Sequence, residues 1–132
     1  MAQKLSSSRI EVADSVEAVY ELATEQRWGD GLPVIPPTEE RVIRMLEGLD
    51  RDPDDVIGSM PPSNNDVTVE KVAINAVMAG CLPEHMPILI AAVEAMIEPD
   101  FNLHGIQATT SPVAPLVIIN GPIRKKVNIY CG

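Results

Sequence analysis

The residues best suited to chemistry lie in the second half of the chain. Cys81 becomes a nucleophile once it is deprotonated, and His104 is a suitable general base for it. Glu70 supplies an acid, so the three side chains would suffice for a thiol-based site if the fold brings them together. Lys71 is a further catalytic candidate. A salt-bridged helix start is the alternative interpretation of Glu70 and Lys71.

A set of uncharged polar side chains forms the candidate binding group. Such side chains hold a carboxylate, carbonyl or amide, and fixed donors of this kind stabilise a developing oxyanion. The candidates are Asn75, Asn102, Gln107, Thr109, Thr110 and Asn120. Asn75 falls in the middle of a predicted helix, where asparagine is disfavoured and needs hydrogen-bond partners if buried. The alternative interpretation is that these residues satisfy the backbone at turns and strand ends.

The strongest catalytic and metal-binding motifs are missing. The chain has no GxGxxG, Walker, HExxH or GxSxG motif, and its two cysteines, Cys81 and Cys131, form no CxxC pair. The acidic run at 50–55 lacks the glycine and the terminal glutamate of a calcium loop. We therefore predict no metal site, and the sequence identifies no cofactor.

Apolar periodicity predicts about four helices around a small sheet. The predicted helices start at Asp14, at Glu39, near Thr68 and at Pro83, and the last runs through an almost wholly apolar stretch to Ile97. Val56–Met60 and 127–130 have the pattern of short strands.

The run Leu116–Ile119 lies between Pro115 and the turn residues Asn120-Gly121-Pro122, which is typical of a strand buried on both faces. Just before this run, Gly105 and Pro112 are expected to interrupt any helix. The predicted fold is therefore α/β or α+β, with a buried central strand near 116–119.

Length and composition predict one domain with an aliphatic core. The 132 residues are 45% hydrophobic but only 3% aromatic, and they suffice for a core of Val, Ile, Leu, Ala and Met. Residues 1–13 are weakly patterned and are expected to form a loosely ordered arm before a single domain at 14–132. That domain is expected to be one part of a larger subunit or heteromeric assembly.

The charge of the chain bears on its partners and its location. A net charge of -9 argues against nucleic acid and against an anionic membrane surface, since both attract clustered Lys and Arg. No signal peptide is visible, and no apolar run is long enough to cross a bilayer. These features predict a cytoplasmic protein.

Three stretches carry a resemblance to a known family. WGDGLPVIPPTEERV (28–42), TVEKVAINAVMAGCLPEHMPILIAAVEAM (68–96) and FNLHGIQATTSPVAPLVIINGPI (101–123) resemble the N-terminal half of a little-characterised bacterial family. Its members occur beside or fused to UGSC-type proteins, which contain selenocysteine or cysteine and are distantly similar to the substrate-reducing subunits of glycine reductase. The Gly-rich second half of these members is absent here. The resemblance implies a subunit of a thiol- or selenol-linked enzyme that acts on a small molecule.

These observations leave three functional hypotheses. The first is a subunit of a thiol-linked oxidoreductase or reductive lyase, with its site shared with a second chain or a missing C-terminal half. The second is a non-redox hydratase or hydrolase subunit that uses the same polar lining. The third is a non-catalytic assembly subunit, in which the apolar helix at 84–97 and the C-terminal strand serve assembly.

Overall fold

The structure is a computed structural model that describes residues 5–129. It has mixed α and β content, which confirms the α+β form of the prediction. In chain order the elements are α1 (Val16–Glu25), α2 (Glu39–Leu46), β1 (Val56–Met60), β2 (Asn65–Thr68), α3 (Val69–Met78), α4 (Met86–Ile97), α5 (Leu103–Ala108) and α6 (Pro122–Lys126). Two short 3₁₀ turns, Pro83–His85 and Pro99–Phe101, precede α4 and α5.

The core lies between α2, α3 and α4. Val42, Met45 and Leu46 follow the spacing of one helical face, and all three are buried. They pack with buried residues of α3 and with Met86 and Ile90 of α4. The core is aliphatic, as the composition predicts, and it fixes the position of α4.

A two-stranded antiparallel sheet packs against α4. Ser59 lies opposite Asp66 and Met60 lies opposite Asn65, while a bulge interrupts the register between Val56 and Gly58. The loop at 61–64 closes the hairpin, and Asn64 takes the left-handed conformation that such a turn requires. The strand predicted at Val56–Met60 is confirmed.

The helix count differs from the prediction of about four, since the described residues contain six α-helices. α5 runs through Gly105, where we expected an interruption. The side-chain Oδ1 of Asn102 caps this helix by accepting from the Gly105 backbone N–H over 3.2 Å. Leu103 is buried, so the Asn102 cap and this one apolar contact stabilise the short helix α5 despite its glycine.

The prediction of a buried central strand near 116–119 is wrong for the described residues. Leu116 is 84% exposed and Ile118 is 75% exposed, and the only sheet in this part of the chain pairs β1 with β2. The side chains of an apolar run predict a strand. A strand in a sheet also needs an adjacent strand that forms hydrogen bonds with its backbone. No neighbouring strand reaches this run from residues 5–129.

The C-terminal strand predicted at 127–130 is also not formed in its described part. Pro122 opens α6, and Val127 caps that helix with its backbone N–H donating to the Ile123 carbonyl over 3.0 Å. Val127 is buried at the end of α6. The apolar residues at 127 and 129, which suggested a strand, therefore follow a helix end. Tyr130 and Cys131 lie outside the described residues.

Candidate functional site

Two adjoining grooves lie beside α4. The first, which we call the polar groove, has a volume of about 450 Å³ and is lined by α5 and the chain that follows it. The second, the apolar groove, has a volume of about 530 Å³ and lies between α4 and residues 115–119. Met96 and Pro115 line both grooves, so the two lie side by side.

The polar groove combines apolar walls with a few hydrogen-bonding groups. Met96, Leu103 and other apolar side chains form its walls, while its polar members are Gln107, Thr109 and Ser111. Thr109 Oγ1 already accepts from the Ser111 backbone N–H over 3.1 Å. This composition is typical of a small-molecule site, although no charged side chain lines the groove to drive a reaction.

The apolar groove is bounded by a stretch that we call the open segment, residues 114–120. It has no regular secondary structure, and within the described chain its backbone N–H and carbonyl groups make no hydrogen bonds. Leu116 and Ile118 are more exposed than Val117 and Ile119, so exposure alternates along the chain. This period of two is that of a β-strand.

The structure brings some of the predicted binding residues together. Gln107 and Thr109 line the polar groove, and Asn120 lines the apolar groove. Thr110 is exposed and lines neither groove, and Asn102 serves as the cap of α5. Two of the six predicted binding residues therefore share one groove, and a third lies at the end of its neighbour.

Glu70 is held beneath the N-terminal arm. It is 1% exposed, and its carboxylate accepts hydrogen bonds from the backbone N–H and Oγ of Ser6 at 2.9 Å each and from the Ser7 backbone N–H at 3.0 Å. Burial raises the pKa of Glu70, but the hydrogen bonds from Ser6 and Ser7 outweigh it and leave the pKa below its ordinary value. A carboxylate kept charged by such bonds anchors the arm.

Lys71 and Asn75 lie on the exposed side of α3 and bond to nearby backbone. Lys71 Nζ donates to the Asp66 carbonyl over 2.6 Å, and Asn75 Nδ2 donates to the Lys71 carbonyl over 2.8 Å. Both residues are exposed, and neither lines the two grooves. The Asn75 side chain therefore donates within its own helix.

Cys81 and His104, the proposed nucleophile and base, lie in different settings. Cys81 is half-buried against the core after α3, and burial raises the pKa of its thiol, which disfavours the reactive thiolate. His104 is exposed on α5. Neither residue lines either groove, so within residues 5–129 neither groove beside α4 contains a thiol and a base together.

Charged side chains elsewhere do not form an alternative centre. A depression along α2 is lined by Glu39, Glu40 and Arg44 among others, but all its residues belong to that one helix and its C-cap, Glu47. Between residues 5 and 129, no three His, Cys, Asp or Glu side chains are grouped closely enough to bind a metal ion. The helices in the same range are all too short or too polar to span a bilayer.

Sequence reasoning missed the apolar walls of the polar groove. Met60 ends β1 and Met96 lies near the end of α4, yet the two side chains line the same groove as Gln107. Their shared position depends on the packing of β1 against α4, which no local pattern encodes. The exposed state of Leu116 and Ile118 was likewise invisible, because an apolar run normally signals burial.

Comparisons of this chain with protein-family models, with curated proteins and with solved structures found no match.

Proposed function

We propose that this chain is an assembly subunit that docks another polypeptide through the open segment and the adjoining face of α4. The observation that carries the proposal is the exposure of Leu116 and Ile118, at 84% and 75%, in a segment whose backbone is unpaired within the described residues. Removing apolar surface from water is favourable by about 25 cal/mol per Å² of transfer free energy. Contiguous apolar surface of this kind marks interaction sites.

The lining of the apolar groove supports a polypeptide partner. None of its residues is charged, although the chain as a whole carries a net charge of -9. Depletion of charge at the centre of a surface, with charged residues outside it, is the composition of an interface core. The uncharged groove removes the desolvation cost that buried charges would impose.

The polar groove favours a second candidate function, a small-molecule site completed by the partner. Because Met96 and Pro115 line both grooves, a partner seated on the open segment would border the polar groove as well. Gln107 and Thr109 would then orient an uncharged or carboxylate-bearing molecule, while the partner supplied the reactive groups.

The chemistry implied by the family resemblance fits only this shared arrangement. A thiol-linked oxidoreductase or reductive lyase needs a reactive thiol near the substrate, whereas Cys81 lines neither groove and has a raised thiol pKa. A hydratase or hydrolase would equally need a general base from the partner. Both activities therefore remain hypotheses for the assembled protein.

Native mass spectrometry of the protein purified from its own host tests the docking proposal. We expect an assembly, with hydrogen exchange at 114–120 slower in the assembly than in the isolated chain. Leu116→Asp should dissociate it, because a charge would be buried without a partner. Leu32→Asp is the matched control, since Leu32 is 69% exposed and lies outside both grooves. A monodisperse monomer with no co-purifying chain would contradict the proposal.

A further inference from the structure

We infer that the occupant of the open segment is a second copy of this chain, with Leu116–Ile119 of the two copies paired as antiparallel strands about a twofold axis. This inference rests on the proposed docking function and names its partner. The geometry that carries it is an uncharged, strand-like run with alternating exposure, whose backbone is unpaired within residues 5–129.

The backbone of the open segment is suited to pairing with a β-strand of the partner. A helix or a side-chain surface would leave its N–H and carbonyl groups without backbone partners. Along 114–120 no N–H donates and no carbonyl accepts within the described chain. Such a row of unpaired groups is the template on which another strand adds. Pro115 and Pro122 have no N–H, so they confine any ladder to the run between them.

The side chains of this run are complementary to themselves. When the run pairs about a twofold axis at Val117, Val117 lies opposite Val117 of the other copy and Leu116 lies opposite Ile118, so residues of one face meet. Every cross-strand pair is then aliphatic and includes at least one β-branched residue, a combination that stabilises a sheet. An interface that uses the same patch twice closes on itself, which gives a dimer instead of a filament.

The charge pattern explains how two acidic chains can meet here. Each chain has a net charge of -9, yet residues 105–123 contain no charged side chain. Contact through this stretch brings no like charges together at the centre of the interface. The remaining repulsion between the copies is long-range, so added salt screens it.

Sedimentation equilibrium of the purified full chain, over a range of protein and salt concentrations, tests the inference. We expect a mass that rises with protein concentration from one chain, 14.3 kDa, toward two chains. The dimer should be favoured as salt increases. Hydrogen exchange at 116–119 should slow over the same range of protein concentration.

Two substitutions test the pairing itself. Ile118→Pro removes a ladder N–H and Ile118→Asp places a charge within the paired run, so each should keep the chain monomeric at concentrations where the unaltered chain is dimeric. Residue 118 belongs to no helix or strand, and circular dichroism should show an unchanged fold. Leu32→Asp is the control and should dimerise normally.

The outcomes separate this inference from the docking proposal. A dimer that persists in both Ile118 variants, or a monomer at every concentration, overturns self-pairing. If the chain is monomeric alone and hydrogen exchange at 114–120 slows only when a different co-purified chain is bound, the docking proposal is supported and self-pairing is excluded. A monomer with neither partner ends both proposals.

Discussion

Ser6 and Glu70 are 64 positions apart in the chain and are joined by two hydrogen bonds, from the Ser6 backbone N–H and from its Oγ to the same Glu70 oxygen, each 2.9 Å long. Glu70 is the only charged residue buried in the described part of the chain. The hydrogen bonds to its carboxylate within residues 5–129 come from Ser6 and Ser7, so the arm and the start of α3 stabilise each other.

Glu70→Gln should lower the free energy of unfolding by about 1–3 kcal/mol. The substitution keeps the shape of the side chain but replaces one acceptor oxygen with an NH₂ group, which faces the N–H donors of Ser6 or Ser7. Urea unfolding measures the loss, and faster hydrogen exchange at Ser6 and Ser7 locates it. Glu84→Gln, at an exposed site, is the control and should change stability little. Equal stability of the two variants would show that the arm is not held by this carboxylate.

The contribution of Glu70 to stability should depend on pH in one direction. Because its pKa is below the ordinary value of 4.5 in the folded chain, the unfolded state takes up the proton first as the pH falls. The stabilisation is therefore fully present above pH 4.5 and is lost as the pH falls through the folded-state pKa. Unfolding free energies measured against pH should differ between the unaltered chain and Glu70→Gln by a constant amount near neutrality. That difference should shrink below pH 4.5, and a difference that grows with acidity would reverse the assignment.

The parts of the fold that the sequence predicts are those with local causes. α2 and α3 repeat apolar residues at helical spacing, and Thr68 caps α3 by accepting from the Lys71 backbone N–H over 3.3 Å. These signals lie within a few positions of each other, so propensity and periodicity suffice to locate the helices.

The parts that escaped prediction depend on distant neighbours. The burial of Glu70 follows from Ser6, far away in the chain, and a solvated helix start looks the same in sequence. The run at 116–119 predicts its own strand-like conformation but not the strand that would pair with it. For the candidate site, Gln107 and Thr109 were predictable as polar groups, whereas the Met60 and Met96 walls required tertiary packing.

Asn102→Ala should lower the free energy of unfolding by about 1–3 kcal/mol, whereas Asn102→Gly should leave it close to that of the unaltered chain. Asn102 has a positive φ of 53° and caps α5 through Gly105. Alanine loses the cap and keeps the strained backbone, while glycine loses the cap but relieves the strain. Urea unfolding midpoints measure the difference. Equal midpoints for the two variants would show that the left-handed backbone at residue 102 does not carry this strain.

Cys81 should react slowly with iodoacetamide at neutral pH in the folded protein and at the normal rate in urea. Its thiol is half-buried against the core, and this burial raises its pKa above the ordinary value of 9.0, so little thiolate is present near pH 7. Intact-mass measurement of alkylation over time, in a Cys131→Ser background, follows Cys81 alone. The rate in the folded chain should also rise with pH over a higher range than in the unfolded chain. Rapid alkylation of the folded protein at neutral pH would instead identify an activated thiol and return Cys81 to the catalytic hypothesis.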